Sequence, residues 1–300
     1  MNFLKNYVLL LFISFMPVLI VQAEDKVFSQ KQQQEYKVAE ENMIKAAILG
    51  PNDIPLLDQG ILHLPENYVF IPKAEAVAWL KSWGNSGSSG IIGIIMPIVD
   101  NQNWFIEVNY EKSGYIKDDD AKNWNADKLL QNLKEGTKEQ NKYRKAKGFE
   151  EFEVVKWIEV PTYNALSHKL IWSIVGRTPG DLDEKNYSIN YNTYALGREG
   201  YFIINLITSY DFIEQDKLHV KTILAAVDYN NGKRYEDFLE STDKVATYGL
   251  AALIGGAVAK KVGLLTVIGV FLLKIWKIIA IAVAVFFGKI MNFFKRDKDL

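Results

Sequence analysis

The hydrophobic and polar positions of this chain alternate in short stretches through its middle and merge into long apolar stretches at both ends. Residues 104–110 place an aromatic or aliphatic side chain at every second position, which is the period of a half-buried strand. Residues 91–96 form an apolar run that suits a buried strand. Residues 30–48 and 211–227 have helical composition. Strands that come in runs, with helices between the runs, predict an α+β fold with a largely antiparallel sheet flanked by helices.

Turn and cap residues divide the rest of the middle region into further elements. Gly197-Arg-Glu-Gly200 separates two strand-like segments and predicts a hairpin, with Arg198 stabilising its tip. Asn125 predicts the start of one helix, and a capping box that begins at Thr137 predicts the start of another, which Gly148 ends. A further helix is predicted at residues 73–82, and further strands at residues 60–64, 68–71, 152–160, 167–175, 187–196 and 201–208.

The N-terminal apolar stretch has the parts of a signal peptide. Lys5 supplies the positive charge, residues 7–21 form the apolar core, and Ala23 ends a segment suited to cleavage. The core is short for a membrane span, which takes roughly 20 residues. We therefore expect residues 1–23 to be cleaved rather than kept as an anchor, and residues 24–245 to form an exported α+β domain.

The C-terminal apolar stretch is predicted to anchor the chain in a membrane. As a helix, residues 263–288 would span roughly 38 Å, more than the hydrocarbon core of roughly 30 Å. The tail at residues 289–300 is basic, and the positive-inside bias places such a tail in the cytoplasm. Residues 246–260 then form a short apolar helix at the membrane surface or partly inserted. We expect a single-pass protein of the cytoplasmic (inner) membrane with a periplasmic main domain. A two-helix hairpin is less favoured, because it would put the basic tail outside.

Lys274 and Lys277 lie on one face of the predicted transmembrane helix. A lysine in mid-membrane costs roughly 2.5–3.5 kcal/mol on insertion scales, so each charge needs compensation. Three explanations stay open: snorkelling, a partner helix or self-association through the anchor, and a role in a transport complex. The expected partners are therefore the lipid bilayer and, as an alternative, a membrane protein.

The charge distribution restricts the partners of the exported domain. From residue 24 to residue 247 the chain has 26 Lys and Arg against 34 Asp and Glu. We expect no nucleic-acid partner for such an acidic domain, because phosphate binding requires a basic surface. The chain has no cysteine, which excludes disulfides, thiolate metal sites and a cysteine nucleophile.

Four residues are the candidates for catalysis. Asp118, Asp119 and Asp120 offer carboxylate oxygens, and His168, on the predicted strand 167–175, offers a general base. The aspartate run lacks the spacing and the closing glutamate of a calcium loop, so we expect no metal. The structural alternatives are a helix-capping loop for the aspartates and a partly buried, hydrogen-bonded side chain for the histidine.

Other motifs have ordinary structural explanations. The glycine-rich residues 84–90 follow a predicted helix and lack the lysine of a phosphate-binding loop, so we expect a flexible connection and no cofactor. The aromatic residues at strand spacing fit a core better than a pocket; they are Trp104, Trp157, Tyr163 and Trp172.

Several phrases in this order resemble the bacterial family named domain of unknown function 2167. They are Gly114-Tyr-Ile-Lys-Asp-Asp-Asp-Ala121, Asn141-Lys-Tyr-Arg144, Trp157 with Pro161-Thr-Tyr163, His168-Lys-Leu170-Ile-Trp172, Asn190-Tyr191, Leu196-Gly-Arg198-Glu-Gly200 and Tyr248-Gly-Leu-Ala-Ala-Leu-Ile-Gly-Gly256. The resemblance implies an exported domain with a C-terminal membrane anchor and no established activity. In element order the domain is also loosely similar to the Mog1/PsbP-type α/β/α sandwich, a similarity that transfers no site.

Three functional hypotheses follow. The first is a membrane-anchored envelope protein that works as a binding or complex-forming module without catalysis. The second is an envelope hydrolase that uses the Asp118–Asp120 loop with His168, which requires these groups to converge. The third is an accessory subunit of a membrane transport complex, which depends on Lys274 and Lys277.

Overall fold

The folded domain lies within the part of the chain that a computed structural model describes, residues 30–82, 90–98, 102, 104–122, 124–146 and 151–255. Its compact unit ends at Gly255, beyond the boundary that the sequence predicts at residue 245. In the described part, no helix is long and apolar enough to cross a bilayer. The features that lie outside it are the predicted signal peptide (1–23), most of the glycine-rich connection (84–89), the helix end at Gly148, the transmembrane helix (263–288) and the basic tail (289–300), with Lys274 and Lys277.

Two antiparallel sheets form in this domain, which confirms the predicted α+β fold with a largely antiparallel sheet. Their strands are β1 (Ile48–Leu49), β2 (Asn52–Leu56), β3 (Gly60–Leu64), β4 (Tyr68–Pro72), β5 (Ile91–Pro97), β6 (Phe105–Glu111), β7 (Glu153–Asn164), β8 (Lys169–Arg177), β9 (Ser188–Leu196), β10 (Tyr201–Ser209) and β11 (Val227–Tyr229). The main sheet has eight strands in the order β1-β4-β5-β6-β10-β9-β8-β7. The small sheet has the order β11-β3-β2.

The main sheet lies between two different layers. The helices are α1 (Gln30–Ala46), α2 (Lys73–Ser82), α3 (Ala126–Ala146), α4 (Ile213–Ala225) and α5 (Ala251–Gly255). On one face, the small sheet and α4 cover a continuous core that includes Phe202, Ile204 and Leu206 of β10. On the other face, α1 and α2 pack near β4 and β5 over one apolar cluster, and α3 packs on β7 over a second. We call this second side the helix face.

Helix α3 is one continuous helix, whereas the sequence predicts two helices in this region. Asn125 does cap it, because the Lys128 backbone N–H donates to Asn125 Oδ1 at 2.9 Å. The helix continues through Gly136, and the Thr137 hydroxyl donates to the Leu133 carbonyl at 2.8 Å instead of capping a new helix. The capping-box pattern at Thr137 was therefore misleading, because the same hydroxyl can bond backward within a continuing helix.

Strand β7 is an irregular edge of the main sheet. Its pairing with β8 shifts register three times between Val154 and Thr162. Such bulges bend a strand and increase its twist. Tyr163, near the end of β7, contacts the loop that contains Asp118, where the candidate site forms.

Candidate functional site

Asp118 and His168 converge through one tyrosine. The Tyr163 hydroxyl lies 2.8 Å from Asp118 Oδ2 and 3.2 Å from His168 Nδ1. The convergence that the hydrolase hypothesis requires is therefore present, but a phenol stands between the carboxylate and the imidazole.

His168 reaches this place from a turn and not from a strand, so its predicted position on strand 167–175 was wrong. The β7–β8 turn is built by Asn164, whose Oδ1 accepts hydrogen bonds from the backbone N–H groups of Leu166 and Ser167 at 2.9 and 3.2 Å. His168 then adopts a left-handed backbone conformation with φ 51° before β8 begins at Lys169. This conformation places His168 beside the end of the sheet.

The hydrogen-bond pattern assigns the tautomer of His168. Burial and the hydrogen bond to Asp118 both raise the pKa of Tyr163, so its hydroxyl stays neutral and donates to the carboxylate. The phenolic oxygen then accepts from Nδ1–H of His168. In the neutral form of the ring, Nε2 of His168 is then the acceptor.

His168 is the end of a column of four stacked rings. His168 stacks on Tyr235 at 4.1 Å between ring centroids, Tyr235 on Tyr115 at 4.4 Å, and Tyr115 on Phe238 at 3.9 Å. The Tyr235 hydroxyl donates to the Ile116 carbonyl at 2.7 Å, and burial raises the pKa of Tyr235. The column ties the β7–β8 turn to two loops that are distant in sequence.

The three predicted aspartates separate into three roles. Asp118 binds Tyr163, whereas Asp119 is exposed at the start of a 3-10 turn (Asp119–Lys122). Asp120 accepts hydrogen bonds from the backbone N–H groups of Leu250 and Ala251 at 3.1 and 3.0 Å. Among the described residues, no group of three or more His, Asp or Glu side chains is arranged to hold a metal ion.

Asp120 belongs to a set of contacts that fixes the segment from Asp243 to Gly255 to the domain. Arg198 binds Asp243 with two hydrogen bonds of 2.6 and 2.8 Å, which hold the pKa of Asp243 well below its usual range. Tyr115 exchanges backbone hydrogen bonds with Lys244 and Ala246, each 2.8 Å long. We call this set the junction clamp. Arg198 was predicted to stabilise its own turn, but its guanidinium bonds Asp243 and the Gly232 carbonyl, in the chain that follows β10 and α4.

The junction clamp continues into the apolar residues that precede Gly255. Leu250, Leu253 and Ile254 are buried in the same core cluster as Trp172. The Tyr194 hydroxyl donates to the Leu253 carbonyl at 3.0 Å. The described part of the predicted membrane-surface helix (246–260) is therefore packed within the domain, and residues 256–260 lie outside the described part of the chain.

The chemistry available at Asp118, Tyr163 and His168 is that of a base, with no activated nucleophile among the described residues. Nε2 of His168 can accept a proton from water or from a ligand. In the described part of the chain, the only hydroxyl that hydrogen-bonds the His168 ring is that of Tyr163, whose pKa is raised and not lowered. A lowered pKa, the opposite shift, is what activates a hydroxyl as a nucleophile.

The comparisons with known proteins identify the family. Residues 48–284 match the family described as protein of unknown function (DUF2167). The chain belongs to this family. No curated protein sequence matches it significantly. Among solved structures it is similar to the solution structure of cyanobacterial PsbP (CyanoP) from Synechocystis sp. PCC 6803, with a TM-score of 0.35 and 12% sequence identity over 58% of this chain and 88% of that chain. At this level of similarity, no activity or ligand transfers.

Part of the site of this DUF2167 protein was visible in its sequence. Asp118 and His168 were candidates, and Tyr163 appeared only as one aromatic among several. Tyr115 and Tyr235 were missed, because they belong to loops whose meeting depends on the whole fold. The spacing of Asn164 before Ser167 is a turn pattern that would have placed His168 correctly.

Proposed function

We propose that this chain is a membrane-anchored envelope protein whose exported domain is a binding or complex-forming module. The observation that carries the proposal is the junction clamp, which fixes residues 243–255 to the domain. The apolar stretch predicted to cross the membrane begins soon after Gly255. The clamp thus fixes the point at which the chain leaves the domain, which suits a module that meets a partner at the same membrane.

The contacts of the predicted catalytic residues favour a structural role for them in this module. Asp120 caps the short helix α5, and Asp118 accepts from Tyr163. His168 uses Nδ1 and one ring face in contacts within the domain. Asp118 and Asp120 thus make hydrogen bonds that stabilise the fold. His168 does so with one of its two ring nitrogens.

Two measurements on the full chain test the proposal. In vesicles, we expect the protein to stay in the membrane after carbonate extraction and reporter fusions to place residues 30–255 outside the cytoplasm. In a mild-detergent pull-down followed by mass spectrometry, we expect a specific co-purifying partner. Release by carbonate, or a cytoplasmic reporter result, would overturn the membrane topology.

The junction clamp gives the pull-down a matched pair of variants. Asp120→Asn weakens the acceptor that holds Leu250 and Ala251, so we expect it to lower partner recovery without releasing the protein from the membrane. Asp119→Asn makes the same chemical change at an exposed neighbouring position and serves as the control. If Asp120→Asn and Asp119→Asn recover the partner equally well, the junction clamp does not contribute to partner binding.

The transport-subunit hypothesis is a special case of the same proposal. It places the partner in the bilayer, beside Lys274 and Lys277. Replacing both lysines with Leu is expected to abolish recovery of such a partner and to leave the exported domain folded. Unchanged recovery would assign the partner to the exported domain instead.

A second candidate function, an envelope hydrolase, is favoured by one observation, the free Nε2 that the Asp118–Tyr163–His168 arrangement leaves on the imidazole. Its test is hydrolysis of fluorogenic ester, phosphate and amide substrates by the purified full chain. His168→Asn tolerates the left-handed turn but removes the base, so an enzyme would lose about 10²–10⁴-fold in rate. If the unmodified protein hydrolyses none of these substrates, or if His168→Asn hydrolyses them at the same rate, the hydrolase function is excluded.

A further inference from the structure

An exposed turn at residues 230–233 contains the only Asn-Gly pair of the sequence, Asn231-Gly232. The turn is closed by the Lys233 backbone N–H, which donates to the Asn230 carbonyl at 3.0 Å. Asn231 and Gly232 occupy its two central positions, and both are exposed. Gly232 adopts φ 79°, a left-handed conformation that glycine reaches without steric cost. The pair is therefore presented to water at the tip of the turn.

The two groups that react with each other when an asparagine deamidates have no partner in this turn. Among the described residues, neither the Asn231 side chain nor the Gly232 backbone N–H makes a hydrogen bond. A Cβ placed on Gly232 would meet no atom within 4 Å, so the space beside its nitrogen is open. The Asn231 amide carbon and the following nitrogen are close in the chain and are free to approach each other, which favours their reaction.

Neighbouring and similar asparagines lack one or more of these features. Asn230 is followed by Asn231 instead of glycine, and its Nδ2 donates to the Asp58 carbonyl at 3.1 Å. Asn67 is exposed in the turn between β3 and β4, but the residue after it is the buried Tyr68. A side chain on the following residue crowds the approach of its nitrogen, and only glycine lacks a Cβ. The turn at residues 230–233 therefore combines features that these two positions do not share.

We propose that Asn231 is a site of spontaneous deamidation. The Gly232 nitrogen attacks Cγ of Asn231, and the new C–N bond closes a succinimide ring. The side-chain nitrogen leaves as ammonia and takes the proton of the Gly232 N–H. Water then adds to a ring carbonyl and opens the ring. Opening at Cγ gives an aspartate with the normal backbone, and opening at the main-chain carbonyl gives an isoaspartate. Water is the only co-reactant, and no electron is transferred.

Isoaspartate changes the backbone of the turn as well as its charge. Its main chain passes through Cβ and Cγ, which adds a backbone atom between residues 231 and 232. The Gly232 carbonyl accepts a hydrogen bond from Nη1 of Arg198 at 3.2 Å, and the Lys233 carbonyl accepts one from the Arg198 backbone N–H at 3.0 Å. The guanidinium of Arg198 also binds Asp243 in the junction clamp. The modification therefore displaces contacts of the residue that holds Asp243.

The site is separate from Asp118, Tyr163 and His168, and its chemistry does not depend on the proposed binding role. The test is incubation of the purified full chain at pH 7.4 and 37 °C, followed by peptide mapping with mass spectrometry. We expect the peptide that contains Asn231 to gain the mass of an amide-to-acid exchange. Reversed-phase chromatography should separate this product into an aspartate form and an isoaspartate form.

Internal controls make this measurement decisive. Asn67 and Asn230 should be modified about tenfold less than Asn231, or not at all. The same chain denatured in guanidinium sets the length of the incubation, because the hydrogen bonds of the turn no longer restrain ring closure there. If Asn231 is intact in the folded chain when it has reacted completely in the denatured chain, the inference is overturned. Reaction of Asn67 or Asn230 as fast as Asn231 overturns it as well.

Two variants separate the effect of the backbone from that of the charge. Asn231→Gln would have to form a larger ring, so it should stay unmodified and keep its unfolding temperature through the incubation. Freshly purified Asn231→Asp has the charge of the product on a normal backbone. The unfolding temperature of the incubated wild-type protein should fall below that of Asn231→Asp, because isoaspartate displaces the contacts of Arg198. Equal unfolding temperatures of these two proteins would show that the modification does not affect the junction clamp.

Discussion

Asp120 accepts a hydrogen bond from the backbone N–H of Ala251 at 3.0 Å, across 131 positions of the sequence. The other carboxylate oxygen accepts from Leu250, and the approach is so close that a Cβ at Gly249 would lie 2.6 Å from Asp120 Oδ2. Asp120 therefore stabilises the start of α5, the last described element of the domain. This contact makes the C-terminal segment dependent on a loop from the middle of the chain.

Replacing Asp120 with Ala should destabilise the domain by about 1–2 kcal/mol, because two backbone donors lose a charged acceptor. Urea unfolding of the full chain, followed by tryptophan fluorescence, measures the change. Asp119→Ala is the matched control and should change the free energy of unfolding by less than about 0.5 kcal/mol. Equal effects of the two substitutions would show that the cap contributes nothing.

Tyr163→Phe and Asp118→Asn should interact in a double-mutant cycle. Each substitution alone weakens the same hydrogen bond, so the double variant should lose less stability than the sum of the single variants, with a coupling of about 0.5–3 kcal/mol. The free energies of unfolding of the four proteins provide the measurement. Additive effects would mean that the phenol and the carboxylate are energetically independent.

Arg198→Met should destabilise the protein in a pH-dependent way. In the folded chain, Arg198 lowers the pKa of Asp243 below its ordinary value of 3.8. The stabilisation is therefore fully present above about pH 5 and is lost as the pH falls below that ordinary value toward the folded pKa. Between pH 7 and pH 3, the difference between the unfolding temperatures of the two proteins should stay constant down to about pH 5 and should start to narrow below about pH 4. A difference that stays constant over this range would contradict the assignment.

His219 should reduce stability in mild acid. It stacks on Trp104 at 4.8 Å between ring centroids and bonds Tyr68 through Nδ1 at 2.8 Å. Burial lowers its pKa, with a smaller opposing effect from Asp216. Above about pH 6.5 the ring is neutral in both states, and below that pH the unfolded chain takes the proton more readily, so stability falls.

The His219→Gln variant isolates this effect, because Asp216 is present in both proteins. Between pH 7.5 and pH 5, the unfolding temperature of the unmodified protein should fall more steeply than that of the variant. Parallel curves would indicate that His219 titrates alike in the folded and unfolded chains.

Local patterns predicted most of the main sheet and the first helices. Strand β3 and helix α2 begin and end where the sequence indicates, and the hairpin of β9 and β10 has the predicted turn. These elements depend on the alternation of apolar and polar residues and on turn residues within about ten positions of each other. Such local signals can be read from a single sequence. Helix α3 was divided wrongly because Gly136 and Thr137 look like a boundary when packing is ignored.

The small sheet was largely missed for two physical reasons. Pro55 argues against a strand, yet β2 is an edge strand, where a missing N–H is tolerated. Strand β11 has three residues at the end of a predicted helix, and it forms by pairing Val227 with Leu62. Contacts of this kind, like that between Asp118 and Tyr163, depend on the fold as a whole and leave no periodic pattern in the sequence.

The two edges of the main sheet limit how copies of this domain can associate. One edge is β1, which has two residues, and the other is β7, whose register shifts interrupt its ladder. Short or bulged edges make poor templates for another strand. Copies of this domain that are crowded side by side would therefore resist lateral polymerisation through their sheets.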